Sequence, residues 1–226
     1  MSEHVRDHRS LLAAAEKRLL VAIARRLPGW VSSDHLTLLA LAAIGVAGAG
    51  YVLAWWDPRA LWLSVAGLAL NWFGDSLDGT VARVRKAERP RYGFYVDHAV
   101  DVIGATLLFA GLAASPYMSA VVALSLLAAY LLVSAETFLA TSVRRVFRLS
   151  FAAVGPTELR ILLAAGTLAL HGDPHVNLGS WGSFALFDVA GVVAAIGLGV
   201  ALLVSVVSTT LELARLEPQR YRSAKT

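Results

Sequence analysis

Long uncharged stretches alternate with short charged ones along this chain. Leu36–Trp56 and Val189–Leu211 carry no charge, and each reaches the roughly 20 apolar residues that a membrane-spanning helix needs. Val102–Ala135 is also uncharged but too long for one span. Ser115-Pro116 breaks it, because proline has no amide donor and disfavours helix before it. The pattern predicts six spans, at 34–56, 59–84, 93–114, 117–142, 156–171 and 186–213. The second and third hold charges inside them, and the fifth is short. Ahead of them, Leu12, Leu19, Ile23 and Leu27 recur at helical spacing with Lys17, Arg18, Arg25 and Arg26 between, which predicts a helix lying on the cytoplasmic membrane face. The segment is too charged for a signal peptide and no small-residue cleavage site follows it. The expected fold class is all-α: a polytopic integral membrane protein of six transmembrane helices preceded by an N-terminal amphipathic interfacial helix. It divides into a cytoplasmic N-terminus over 1–33, a six-helix membrane domain over 34–215 and a cytoplasmic tail over 216–226.

Composition agrees. Of 226 residues 57% are hydrophobic and 16% charged, with a mean hydropathy of +0.63, whereas a soluble domain is about 25% charged. Disorder, a nucleic-acid tail and an ordinary cytosolic globule are excluded. The absence of cysteine excludes a disulfide scaffold, a thiolate metal site and a cysteine nucleophile. The net charge of +4 reflects basic membrane flanks and anionic lipid rather than nucleic acid. Arg83, Arg85, Lys86, Arg89 and Arg91, then Arg144, Arg145 and Arg148, fall on the same side as the basic termini. The other side holds Arg59 and the acidic or histidine residues Asp57, His171, Asp173 and His175. Both termini are therefore expected in the cytoplasm of a multi-pass cell-membrane protein.

The charges inside the spans carry the chemistry. A carboxylate deep in a bilayer costs about 2.5–3.5 kcal/mol, and four cost on the order of 10 kcal/mol, so something must offset them. Asp75 and Asp78 are spaced i, i+3 and Asp97 and Asp101 i, i+4, so each pair shares a helix face. A short basic loop joins the two spans, which makes them antiparallel neighbours whose four carboxylates converge. Four like charges in low dielectric either take up protons or bind divalent cations. Oxygen-only ligands favour Mg²⁺ or Mn²⁺, and four carboxylates suffice for two ions. Gly79, Ala82 and Gly93 keep these faces free of bulk, and Arg83 is placed to grip phosphate oxygens. Carboxylates, metal and arginine together are the equipment of phosphoryl transfer.

The stretch Asp75-Ser-Leu-Asp78-Gly79-Thr-Val-Ala82-Arg83, nine residues, then Gly93-Phe-Tyr-Val-Asp97-His-Ala-Val-Asp101 resembles the signature of the CDP-alcohol phosphotransferases. That signature is D-x-x-D-G-x-x-A-R followed by G-x-x-x-D-x-x-x-D, and all eight fixed positions match. The motif covers 27 residues; the six-span plan and leading amphipathic helix extend the likeness loosely over most of the chain. The resemblance implies transfer of a substituted phosphate from a CDP-linked donor to an alcohol, with release of CMP. It implies Asp75, Asp78 and Asp97 as metal ligands, and Asp101 as both ligand and general base. It places Asp78, Gly79, Ala82, Arg83 and Gly93 against the CDP moiety. The first span of such proteins often opens Pro-Asn-x-Leu-Thr. Here it reads Ser33-Asp34-His35-Leu36-Thr37, so Thr37 joins the expected donor-binding set while Ser33 or Asp34 is expected to cap the helix.

Donor and acceptor are less readable. Some members use CDP-diacylglycerol and a polar alcohol; others use CDP-choline or CDP-ethanolamine and diacylglycerol. Asp97-His98-Ala99-Val100-Asp101 resembles the Asp-His-Gly-x-Asp form of the second kind by one residue, although packing explains His98 equally well. Arg144, Arg145, Arg148 and Arg160 are candidates for an acceptor or lipid phosphate, with membrane anchoring the alternative for the first three. Arg160 inside a span needs a partner, for which Glu136 is a candidate; Glu136 as a hydrogen-bonded core residue is the alternative. Trp55, Trp56 and Trp72 suit interface or packing positions. Arg85, Lys86, Arg89 and Arg91 are expected to act as topology and lipid anchors. A cation or proton transporter would instead place charges at the midplane with broken helices in both halves, and a purely structural subunit leaves the carboxylates unexplained. The Gly- and Ala-rich third and fourth spans suit close packing, including a homodimer.

Overall fold

The structure, a computed structural model, describes residues 11–144 and 156–217. Among them are seven helices: α1 (Leu11–Arg26), α2 (Ser33–Leu53), α3 (Leu61–Val84), α4 (Pro90–Ala113), α5 (Ala120–Arg144), α6 (Pro156–Ala169) and α7 (Leu186–Leu216). Four of them, α2, α4, α5 and α7, are long and apolar enough to cross a membrane. The α3 helix has 24 residues, about 36 Å at 1.5 Å per residue, but Asn71, Asp75, Asp78 and Arg83 make it more polar. The α6 helix has only 14 residues.

The antiparallel α2–α3 pair is built on small residues. A Cβ on Gly67 would lie 2.7 Å from the Ala43 carbonyl oxygen, so the two backbones approach more closely than any side chain allows. Ala40, Ala43 and Ala47 complete that seam and are buried. Two polar clips cross it: Ser64 Oγ donates to the Ala47 carbonyl and Asn71 Nδ2 to the Ala40 carbonyl, each at 2.9 Å. On the other side, α4 packs parallel to α2, and a Cβ on Gly111 would collide with the Gly48 backbone. The larger core gathers Tyr51, Leu61, Leu68, Leu108, Leu112 and Phe187. Tyr51 meets Thr167 of α6 through a 2.6 Å hydrogen bond and packs edge-on against Phe187.

Several local features differ from the sequence expectation. The cap of α2 is Ser32, not Ser33 or Asp34: its Oγ accepts from the His35 N–H while the His35 ring accepts from the Ser32 N–H. The buried stripe of α1 is Leu20 and Ala24 against Leu36, Leu77 and Val81, with Ile23 and Leu27 partly covered. Leu19 is 54% exposed; the Leu12 side chain lies outside the described residues. The α1 helix docks on α3 through this stripe, where Trp72 Nε1 also donates to Glu16 at 3.1 Å. Between α6 and α7 an antiparallel hairpin pairs His175–Asn177 with Ser183–Ala185. Strands of three residues give no periodicity to read, which is why an all-α reading missed them. Ser115 does make the expected break, its Oγ donating to the Leu112 carbonyl and accepting from the Tyr117 N–H.

The loop that sets the α3–α4 spacing is tightly closed. The Ala87 N–H reaches the Ala82 carbonyl and the Lys86 N–H the Arg83 carbonyl, the double bond of a Schellman turn. Lys86 takes the left-handed position at φ 53°, where glycine is favoured. Lys86→Gly is expected to stabilise the fold by about 0.5–1 kcal/mol, seen as a higher melting temperature in detergent; a lower one would contradict the turn.

Candidate functional site

The α3 and α4 helices present their aspartates to one another at the end of the bundle that carries the α3–α4 loop. Asp78 is within electrostatic reach of Asp75 and Asp97, and Asp101 of Asp97, Asp75, Asp78 and Arg160. Each carboxylate has a different setting. Asp75 Oδ2 accepts from Arg160 Nη2 of α6 at 2.8 Å, with both side chains largely covered. Asp78 Oδ2 accepts from Thr37 Oγ1 of α2 at 2.7 Å, and its Oδ1 from the Gly79 N–H. The hydroxyl of Ser33 adds a bond to the Asp78 carbonyl at 2.9 Å. Asp97 is half exposed, its Oδ2 lying 3.9 Å from the neighbouring His98 Nδ1.

The partner of Arg160 is therefore Asp75 and not Glu136. Glu136 accepts from Ser205 at 2.6 Å and from Thr209 at 3.4 Å, so it joins α5 to α7. Of the acceptor candidates, Arg160 reaches the carboxylates; Arg145, Arg148 and the Arg144 side chain lie outside the described residues. His98 has a packing environment: Nδ1 lies 2.7 Å from the Phe94 carbonyl, with the Phe94 and Phe138 rings at 4.2 and 5.0 Å.

The small residues do separate jobs. A Cβ on Gly79 would lie 3.4 Å from Arg83 Nη1, so the bare face of Gly79 is covered by the Arg83 guanidinium, which also donates to Thr80 Oγ1 at 3.2 Å. A Cβ on Gly93 would meet nothing within 4 Å. Ala82 lines a cleft of about 530 Å³ together with Ser33, Asp34, Val81, Arg85 and Arg89.

Two loop arginines expected as topology and lipid anchors also bind the protein. Arg85 donates to the carbonyls of Leu27, Pro28, Gly29 and Val31, tying the α1–α2 connection to the end of α3. Arg89 pairs with Asp34 across the cleft and lies 3.9 Å over the Tyr92 ring; the bond to Asp34 raises its pKa above the usual value. One residue went unnoticed in the sequence. Tyr130 of α5 is within electrostatic reach of Asp101, Arg160 and Asp75. A phenol in the middle of a predicted span is the signal that would have found it.

The donor set suits a hard divalent cation, being carboxylate oxygen alone. As the side chains stand, no group of three or more acidic or histidine residues closes round one point among the described residues. The Asp75 and Asp78 oxygens are turned instead to Arg160, Thr37 and the Gly79 amide.

Residues 30–211 match the family model described as CDP-alcohol phosphatidyltransferase. Among solved structures, the chain is similar to the Mycobacterium tuberculosis phosphatidylinositol phosphate synthase PgsA1 with CDP-DAG bound. The TM-score is 0.54 at 20% identity, covering 92% of this chain and 98% of that one, so the fold is shared. A search of the curated proteins gives no match.

Thr37→Val removes the hydroxyl that donates to Asp78 while keeping the shape. It is expected to cost about 1–2 kcal/mol, read as a lowered melting temperature, with Thr37→Ser close to wild type. Equal melting of all three would show that the Thr37–Asp78 bond contributes nothing.

Proposed function

The chain belongs to the CDP-alcohol phosphatidyltransferase family, and on that premise we propose a metal-dependent transfer of a substituted phosphate from a CDP-linked lipid to an alcohol hydroxyl, with release of CMP. Membership makes it a transferase of substituted phosphate groups in phospholipid biosynthesis, and its apolar helices make it a membrane protein. The observation that carries the finer reading is the placement of Asp75, Asp78, Asp97 and Asp101 on two apposed helices within electrostatic reach of one another.

In this reading α3 and α6 complete a bundle of six spans within a catalytic unit over 34–215, flanked by cytoplasmic segments 1–33 and 216–226. The basic loop between α3 and α4 puts the site on the cytoplasmic side. Thr37, Asp78, Gly79, Ala82, Arg83 and Gly93 face the CDP moiety. Arg83 offers a forked donor to its phosphates, and the open space at Gly93 is where the donor passes. Bound Mg²⁺ or Mn²⁺, two ions over the four carboxylates, would supply neutralisation of pyrophosphate charge. The Asp101 carboxylate takes the proton of the incoming hydroxyl as its oxygen bonds to the lipid-linked phosphorus. The bond from that phosphorus to the bridging oxygen breaks, and CMP leaves with the electron pair.

CDP-DAG bound in the similar synthase favours a diacylglycerol-bearing donor and a polar alcohol acceptor. The packing of His98 between Phe94 and Phe138 supports a packing role for that residue rather than a choline-type donor. For an acceptor that carries a phosphate, the proposed contacts are Arg160 and, by their chemistry alone, Arg144, Arg145 and Arg148.

CMP release by purified protein in detergent, with Mg²⁺ or Mn²⁺ and a panel of donors and alcohols, tests the reaction. Asp101→Asn is expected to lower kcat about 10²–10⁴-fold while metal and donor still bind; Asp78→Asn loses donor affinity as well. Unchanged turnover in Asp101→Asn would remove it as the base. Gly93→Val is expected to leave melting within about 0.5 kcal/mol of wild type, yet raise the KM for the donor several-fold. An unchanged KM would show that the donor does not use that space.

A further inference from the structure

Arg160 contacts the carboxylate cluster through Asp75, and it comes from outside the two helices that carry the cluster. Its Nη2 sits 2.8 Å from Asp75 Oδ2, with side-chain exposures of 16% and 28%. The field of Arg160 also reaches Asp101 and Tyr130. A guanidinium in this position does electrostatically what a divalent cation does: it offsets four like charges in a low-dielectric site. An Asp75 oxygen that accepts from Arg160 has one lone pair turned to nitrogen, and the guanidinium charge 2.8 Å away repels a cation that must approach to about 2.0–2.1 Å.

We infer that Arg160 and the divalent cation compete for Asp75, so that loading the cation displaces Arg160 from the carboxylate. The inference rests on the metal-dependent reading above. Displacement is local because α6 has a second attachment. Its Thr167 bonds to buried Tyr51 at 2.6 Å, and Gly166 lets Phe187 pack against the helix. The helix thus stays seated at its far end when the near end lets go. The released guanidinium is left beside the cations, where its forked donors suit a phosphate oxygen.

The opposite arrangement has a different signature. If Arg160 kept Asp75 Oδ2 while Oδ1 bound the cation, it would orient the ligand, and removing it would weaken binding. Titration of the purified full chain with Mn²⁺, followed by electron paramagnetic resonance without substrate, separates the two. Competition predicts that Arg160→Gln binds Mn²⁺ roughly tenfold more tightly than wild type, and that Arg160→Lys, which keeps the charge without the fork, falls between. Unchanged or weaker binding in Arg160→Gln overturns the inference. Should that variant fail to fold, binding in Arg160→Lys at or below the wild-type affinity overturns it equally. Asp78→Asn, titrated alongside, tells the two levels apart. Loss of Mn²⁺ binding there with no tightening at Arg160 sinks the competition alone. Full Mn²⁺ binding there sinks the metal reading, and the competition with it.

Discussion

Four carboxylates held between two helices repel one another, and the packing around them is arranged to contain that repulsion. Three helices contribute a donor or a cation to it. The α2 helix brings the Thr37 hydroxyl to Asp78, α3 turns its own Gly79 amide to the same carboxylate, and α6 brings Arg160 to Asp75. Thr37 reaches Asp78 because α2 and α3 lie in backbone contact at Gly67 and Gly74. A wider seam would move the hydroxyl out of hydrogen-bond range. Small residues deep in the bundle therefore decide the electrostatics at its end.

The parts legible in the sequence are those set by many residues at once. Span positions follow from runs of about 20 apolar residues, and the helices found at Ser33–Leu53, Leu61–Val84 and Pro90–Ala113 begin and end within a few residues of the expected spans. The shared faces of Asp75 with Asp78 and of Asp97 with Asp101 follow from helical geometry alone. What stayed hidden depends on single contacts between segments far apart in the chain. Nothing near Arg160 in sequence names Asp75, which lies 85 positions away, whereas Glu136 was nearer and of the right charge. The cap of α2 was misplaced by one residue because Ser32 and Ser33 are chemically alike. Only the backbone decides which of them turns inward, and the other then serves the Asp78 carbonyl.

The arginines show why counting charges gives topology but not roles. Arg83, Arg85, Arg89 and Arg160 all sit at the same end of the bundle, and a charge-bias rule treats the loop residues alike. Arg85 spends its donors on four carbonyls of the α1–α2 connection. Arg89 closes on Asp34, and Arg83 lies along Gly79 with a single bond to Thr80. Arg85 and Arg89 are therefore committed to holding the rim of the cleft in shape. Arg83 keeps most of its donors unspent by any bond seen here, which is the condition a phosphate-binding side chain must meet.

This division also limits where the site can adjust. The α3–α4 loop is fixed by its Schellman turn, by Arg85 and by the Arg89–Asp34 pair, so the spacing of the two acidic helices is set by covalent and hydrogen-bonded neighbours on every side. The α2–α3 seam admits no slack, because backbone already meets backbone there. A change in the charge held between the aspartates must then be absorbed by side chains rather than by helix separation. Of those side chains, Arg160 is the long one that enters from a helix anchored elsewhere, at Tyr51 and Phe187. A rigid frame with one long, separately anchored cation lets the carboxylates exchange their counter-charge without the fold moving.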